Sequence, residues 1–125
     1  MSSLNADSPL VYLDVDLAVA QIGDAGALPG MLSLLEESLA RDIPKISQLL
    51  TESDIVGVNR LLHPMKGFLP IFCGDALCAE LARVEILSKH GTIAVVAQAY
   101  GELRPKLELL LSDVATFLHA PRGAD

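Results

Sequence analysis

The apolar residues Ile93, Val96, Tyr100, Leu103, Leu107, Leu110, Val114 and Phe117 follow one another by alternating steps of three and four. Only an α-helix, at about 3.6 residues per turn, brings such positions onto one face. The pattern is close to a heptad seam and predicts a helix over about 92–118, kinked at Pro105. A helix with one apolar stripe has to bury that stripe against another element. This one segment therefore commits the chain to helix-on-helix packing if partners of the same kind exist.

They do. Leu28, Leu32, Leu35, Leu39, Ile43, Ile46 and Leu50 mark a helix over about 28–51, with Pro29 in its first turn and Pro44 expected to bend it. Val58, Leu62, Met65, Leu69 and Phe72 mark another over about 54–72, capped by Ser53 or Asp54. Leu77, Leu81, Val84 and Leu87 mark a third over about 75–89, with Asp75 as its candidate cap. His90-Gly91-Thr92 reads as a stop, a left-handed glycine and a fresh cap. A weaker leading helix spans about 13–22, with Leu13, Leu17, Ala20 and Ile22 inward and Gly23-Asp24-Ala25-Gly26 as its turn. Residues 9–13 alternatively run extended. No segment alternates with period two. Short connections favour antiparallel neighbours. The expected fold is all-α: an antiparallel four-helix bundle with a short additional N-terminal helix, one domain over 1–125 with its core in about 13–118.

Composition narrows the function classes. The chain is 51% hydrophobic, yet its longest uncharged apolar runs, 68–74 and 92–101, fall far short of a membrane span of roughly 18 residues. The start Met1-Ser2-Ser3-Leu4-Asn5-Ala6-Asp7 has no basic stretch leading into an apolar one, so no secretory signal is read there and the expected location is cytoplasmic. Net charge is −7 and the nine basic residues are scattered, which argues against nucleic acid as a partner. Cys73 and Cys78, five apart, would stand about 140° apart on a helix, a poor geometry for a disulfide or a shared metal. They read as small, partly buried thiols. His90 at a helix end and His119 in the tail offer no metal-ligand spacing, so no metal or other cofactor is expected. Glu36-Glu37 and Asp14-Asp16 read as solvated faces. There is no glycine-rich nucleotide loop, so autokinase activity and enzymatic turnover are not expected.

One cluster of side chains stands off the stripes. His63 lies roughly 140° around the helix from the stripe of Val58, Leu62 and Met65. Lys66 and Gly67, three and four positions on, share its face. An exposed neutral imidazole is a competent nucleophile near neutral pH, because its ordinary pKa is about 6.5. Lys66 is a mobile cation suited to phosphoryl oxygens. Gly67 clears space for a second molecule, at a helix-interior cost of about 1 kcal/mol relative to Ala. Asn59, Arg60 and Pro70 border the same face as candidate binding residues. Arg83 and Lys89 are further candidates for its rim.

The run His63-Pro64-Met65-Lys66-Gly67, with Leu77, Leu81 and Glu85 downstream and Arg41-Asp42-Ile43-Pro44 upstream, resembles the histidine-containing phosphotransfer domain family over about 13–118. The resemblance implies that His63 is phosphorylated, that Lys66 compensates the phosphoryl charge and that Gly67 permits close docking. It implies response-regulator receiver domains, and a hybrid sensor histidine kinase, as partners of a monomer in a multistep His–Asp phosphorelay. Magnesium would be supplied by the receiver. The chain departs from the family at Cys73, where glycine is usual, and at Pro64 and Pro70, which are expected to bend the helix near the site. The alternative is an interaction module of the same fold that binds a kinase or receiver without carrying phosphate.

Overall fold

Asp14 opens the first helix. Its backbone is extended and its carboxylate accepts the N–H of Leu17 at 2.9 Å, satisfying a donor that the helix start leaves bare. The computed structural model describes residues 10–119, which hold five α-helices and no strand. Helix α1 is Val15–Ile22 and ends at Gly23, whose φ of +80° is the left-handed geometry that glycine adopts without penalty. A 3-10 turn, Ala25–Ala27, leads into α2, Leu28–Thr51, and the chain bends by 112° between α1 and the segment that follows. Helix α3 is Ile55–Phe72, α4 is Asp75–His90 and α5 is Ile93–His119.

The link between α2 and α3 is tight. Asp54 donates its N–H to the carbonyl of Leu49 at 2.8 Å and Ser53 to that of Leu50 at 3.1 Å. These two bonds are a Schellman closure, with Ser53 left-handed at φ +59°. Asp54 then caps α3 by accepting the N–H of Gly57 at 2.9 Å. The helix that carries the candidate site is thus registered at its start by a fixed turn.

The apolar stripes meet in one cluster. It includes Leu32, Leu35, Leu39, Ile43 and Ile46 of α2, and Val58, Leu62, Met65, Leu69 and Phe72 of α3. Leu77, Leu81 and Val84 join from α4, and Val96, Tyr100, Leu103, Leu107, Leu110 and Val114 from α5. Each such leucine gains about 1.5–3 kcal/mol by leaving water. Helix α2 packs on α3 and α5, α4 packs on α3 and α5, and α1 lies across α3 and α2. The Tyr100 hydroxyl, deep in the core, donates to the carbonyl of Ile43 at 2.9 Å. No single helix among the described residues is long and apolar enough to cross a membrane.

Several expectations need correction. Leu13 is not helical: it is extended and forms an isolated antiparallel bridge with Cys73. Ala18, not Ala20, is the buried alanine of α1, Leu17 and Ile22 are half-buried, and the helix starts two residues later than the apolar pattern suggests. Leu49 takes the buried place assigned to Leu50, and Leu87, Ile93 and Phe117 are only half-buried. Asp75 is in the first turn of α4 rather than its cap, which is Gly74. Gly91 has φ −94° and ψ −179°, ordinary extended backbone, while Thr92 does accept the N–H of Val95 at 3.3 Å. Asp14 is exposed, as expected, and also caps α1. His119 closes α5, with Nε2 3.1 Å from Glu36. The tail 120–125 lies outside the described residues. Helices α2, α3 and α5 each run unbroken through their internal prolines.

The segment before α1 is tied at two points. Asp14 donates its N–H to the carbonyl of Phe72 at 2.9 Å, at the end of α3. Asp113 of α5, buried, accepts the N–H groups of Tyr12 at 2.6 Å and Leu13 at 3.0 Å. The two ends of the described chain are thereby joined through side chain and backbone.

Candidate functional site

The apolar stripe of α3 decides where its polar residues go. With Val58, Leu62, Met65 and Leu69 in the core, His63, Gly67 and Pro70 fall on the exposed side. Asn59 and Lys66 fall at the flank facing α4, half-buried. On α4, Leu81 and Val84 turn inward and carry Glu85 with them into the interior. The two flanks meet around Glu85.

Glu85 is 0% exposed, and its carboxylate is surrounded by nitrogen atoms of Asn59, His63, Lys66 and Lys89. Its Oε2 lies 3.1 Å from Nδ1 of His63, 3.1 Å from the amide nitrogen of Asn59 and 3.2 Å from Nζ of Lys89. Its Oε1 accepts from Nζ of Lys66 at 3.1 Å. Asn59 also donates to the Ser88 hydroxyl at 2.8 Å, and that hydroxyl donates to the Glu85 carbonyl at 2.6 Å. Among the described residues no buried side-chain nitrogen or oxygen lacks a partner.

Burial pushes the Glu85 carboxyl up, as it must for a charge taken out of water. Hydrogen bonds from His63, Lys66, Asn59 and Lys89 more than reverse this and hold it at about 2, below the ordinary 4.5. Glu85 is therefore a carboxylate at neutral pH. A carboxylate can only accept, so a neutral His63 carries its proton on Nδ1. The lone pair is then left on Nε2. The His63 side chain is 61% exposed, which leaves the far edge of the ring accessible.

Lys66 is 36% exposed on its side chain, one turn of α3 beyond His63. At Gly67 a Cβ atom would meet nothing within 4 Å, so no contact inside this protein requires glycine there. The same holds for Gly30 and Gly101, but neither adjoins the imidazole. Arg60 is exposed beside Asn59, and Pro64 and Pro70 are exposed without interrupting α3. Among the described helices α3 alone contains no Asp or Glu; its titratable side chains are Arg60, His63 and Lys66.

The residues singled out in the sequence thus divide. His63, Lys66 and Gly67 lie together, and Arg60 and Pro70 flank them. Asn59 is less a surface contact than an internal brace of Glu85. Glu85 entered the sequence reading only through the family resemblance and Lys89 only as a rim candidate; that the two meet at the centre had one further signal, a carboxylate beside the buried stripe of α4, four residues before a lysine. Ser88 gave no such signal.

Elsewhere chemistry is sparse. Cys73 is buried and Cys78 half-buried, both as free thiols. Burial pushes the Cys73 thiol up to about 12, so thiolate chemistry is suppressed there. Among the described residues no group of three or more His, Cys, Asp or Glu is arranged to hold a metal ion. A shallow apolar groove of about 200 Å³ opens between α2 and α3, bordered by Met31, Leu34, Ser38, Phe68 and Ile71. Comparison with protein-family profiles, curated proteins and solved structures finds no match to this chain.

Proposed function

We propose that this chain is a phosphocarrier of a His–Asp phosphorelay, built as an antiparallel four-helix bundle of the histidine-containing phosphotransfer type. The observation that carries the reading is the ion-paired carboxylate of Glu85 behind an exposed His63. It supports a nucleophile whose proton is parked on the protein side and whose lone pair faces solvent. That is the arrangement phosphoryl transfer asks for, since positioning and charge compensation supply most of the catalysis.

In the transfer, Nε2 of His63 attacks the phosphorus of a receiver's aspartyl phosphate. The Nε2–P bond forms as the P–O bond to the aspartate breaks, and the aspartate leaves as a carboxylate. No proton has to move, because Nδ1 keeps its hydrogen. The ring becomes an imidazolium, and Glu85 stabilises that charge across the 3.1 Å contact. Lys66 compensates the phosphoryl oxygens, and Gly67 lets the partner's backbone approach. Magnesium is a requirement of the receiver and would arrive with it. Passing the group to a second receiver reverses the same steps.

The experiment is transfer from a phosphorylated receiver domain, followed by the acid and base stability of the bound phosphate. The expected product is acid-labile, base-stable and absent from His63→Gln. Equal labelling of His63→Gln removes the assignment. The contact of His63 with Glu85, on an α3 that stays helical through both prolines, supports the carrier reading ahead of a docking module that holds no phosphate.

A further inference from the structure

The transfer as described uses His63, Lys66, Gly67 and Glu85, and leaves Lys89 without a task. Yet Nζ of Lys89 lies 3.2 Å from Oε2 of Glu85, the same oxygen that faces Nδ1 of His63. Nζ of Lys66 takes the other oxygen at 3.1 Å. Two ammonium groups thus share one buried carboxylate, and with neutral His63 the cluster has a formal surplus of one positive charge. One lysine would neutralise Glu85. The second repels the first and gives up rotamer freedom to be there.

The surplus makes sense when the ring is loaded. A phosphoryl group on Nε2 adds about 1.5 to 2 negative charges at neutral pH. The ammonium that reaches it best is on the helix of His63, three residues away: Lys66. If Lys66 were the sole ammonium there, turning outward would take a donor from Oε1 and leave the fully buried carboxylate with the imidazolium of the loaded ring as its one counter-charge, a penalty in the interior. Lys89 is placed to prevent this. It stands four residues after Glu85 on the same helix, so it stays with the carboxylate whatever α3 does.

We propose that Lys66 and Lys89 work as a hand-over: Lys89 holds the charge of Glu85 while Lys66 turns to the phosphoryl group on His63. Lys89 is then a positioning residue that acts through Glu85 on the lifetime of the phosphohistidine. The inference rests on the reading of His63 as the phosphoryl acceptor.

The test needs no natural partner. Phosphoramidate is the donor: Nε2 of His63 attacks its phosphorus, the Nε2–P bond forms, and the P–N bond breaks as ammonia leaves with its electron pair. After donor removal, the decay of the phosphohistidine phosphorus signal is followed by NMR in wild type, Lys66→Met, Lys89→Met, the double variant and Lys89→Arg. Each single Met variant is expected to shorten the lifetime about threefold, a surface-charge-sized effect. The double variant should decay no faster than about the worse single one, since Lys89 acts on the lifetime only by freeing Lys66, and Lys89→Arg should restore the wild-type lifetime. A wild-type lifetime in Lys89→Met, or effects that multiply in the double variant, overturns the hand-over and leaves the phosphocarrier reading standing. Failure of wild-type His63 to take up phosphate, with a His63→Gln control of identical behaviour, overturns both. Lys89 is 41% exposed on its side chain, so its replacement leaves the fold in place for the measurement.

Discussion

Glu85 approaches His63 from the neighbouring helix, its Oε2 3.1 Å from Nδ1, although the two residues are 22 positions apart in the chain. One partner is fully buried and the other mostly in solvent. The contact therefore links the core to the surface and sets which edge of the ring is free.

Replacing Glu85 by Leu should remove the preference for the proton on Nδ1. Nitrogen chemical shifts of the His63 ring are expected to show one dominant tautomer in wild type and a mixture in the variant. The rate of phosphorylation should fall about tenfold, the loss of one charge-assisted hydrogen bond of roughly 1.5 kcal/mol. A single unchanged tautomer in Glu85→Leu would show that something other than the carboxylate orients the ring.

The same carboxylate makes stability depend on acid. Its folded-state pKa of about 2 lies below the ordinary 4.5 of an unfolded chain, so the unfolded state takes up the proton first as pH falls. The stability difference between wild type and Glu85→Gln should be constant above about pH 4.5 and shrink as pH drops toward 2. Urea unfolding of both proteins at several pH values measures it. A difference that is flat across this window contradicts the ionised, donor-surrounded carboxylate.

Gly67→Ala separates folding from docking. Nothing within 4 Å opposes a Cβ atom there, and alanine is the better helix former by about 0.8–1 kcal/mol. Melting temperature should rise in the isolated protein while transfer from a receiver slows. Loss of stability in the free variant would place the cost of a side chain inside the fold.

Ser53 offers a purely structural check. It is the one non-glycine residue with positive φ among those described, at +59°, in the closure of α2. Ser53→Gly should gain about 0.5–1 kcal/mol, the strain of a left-handed L-residue offset in part by added chain entropy. Chemical denaturation reads the change, and a destabilised variant would point to an unrecognised role of the Ser53 side chain.

The helices were legible because each carries a stripe long enough to average out single errors. The stripes of α2, α3 and α5 run over many turns, and nearly every residue assigned to them is buried. Where the pattern was short it misled: α1 has two turns, starts at Val15 rather than Leu13, and buries Ala18 rather than Ala20. Helix ends depend on single backbone geometries, which is why Gly91 and Asp75 were misread. His63, Lys66 and Gly67 were readable as one face because they lie on one helix. Their contact with Glu85 and Lys89 on α4 was not readable from the pattern, since periodicity says which face of a helix is inward but not which neighbour it meets. Asp113 was invisible for the same reason. A carboxylate that accepts backbone N–H groups 100 residues earlier in the chain has no local signature.

The absence of carboxylates from α3 has a consequence for encounters in solution. The chain carries a net charge of −7, so at long range it repels an acidic molecule from most directions. The helix of Arg60, His63 and Lys66 adds no carboxylate to that repulsion. Collisions with an acidic surface are thereby biased in orientation before any contact forms, and raising the ionic strength should weaken the overall repulsion while blurring that bias.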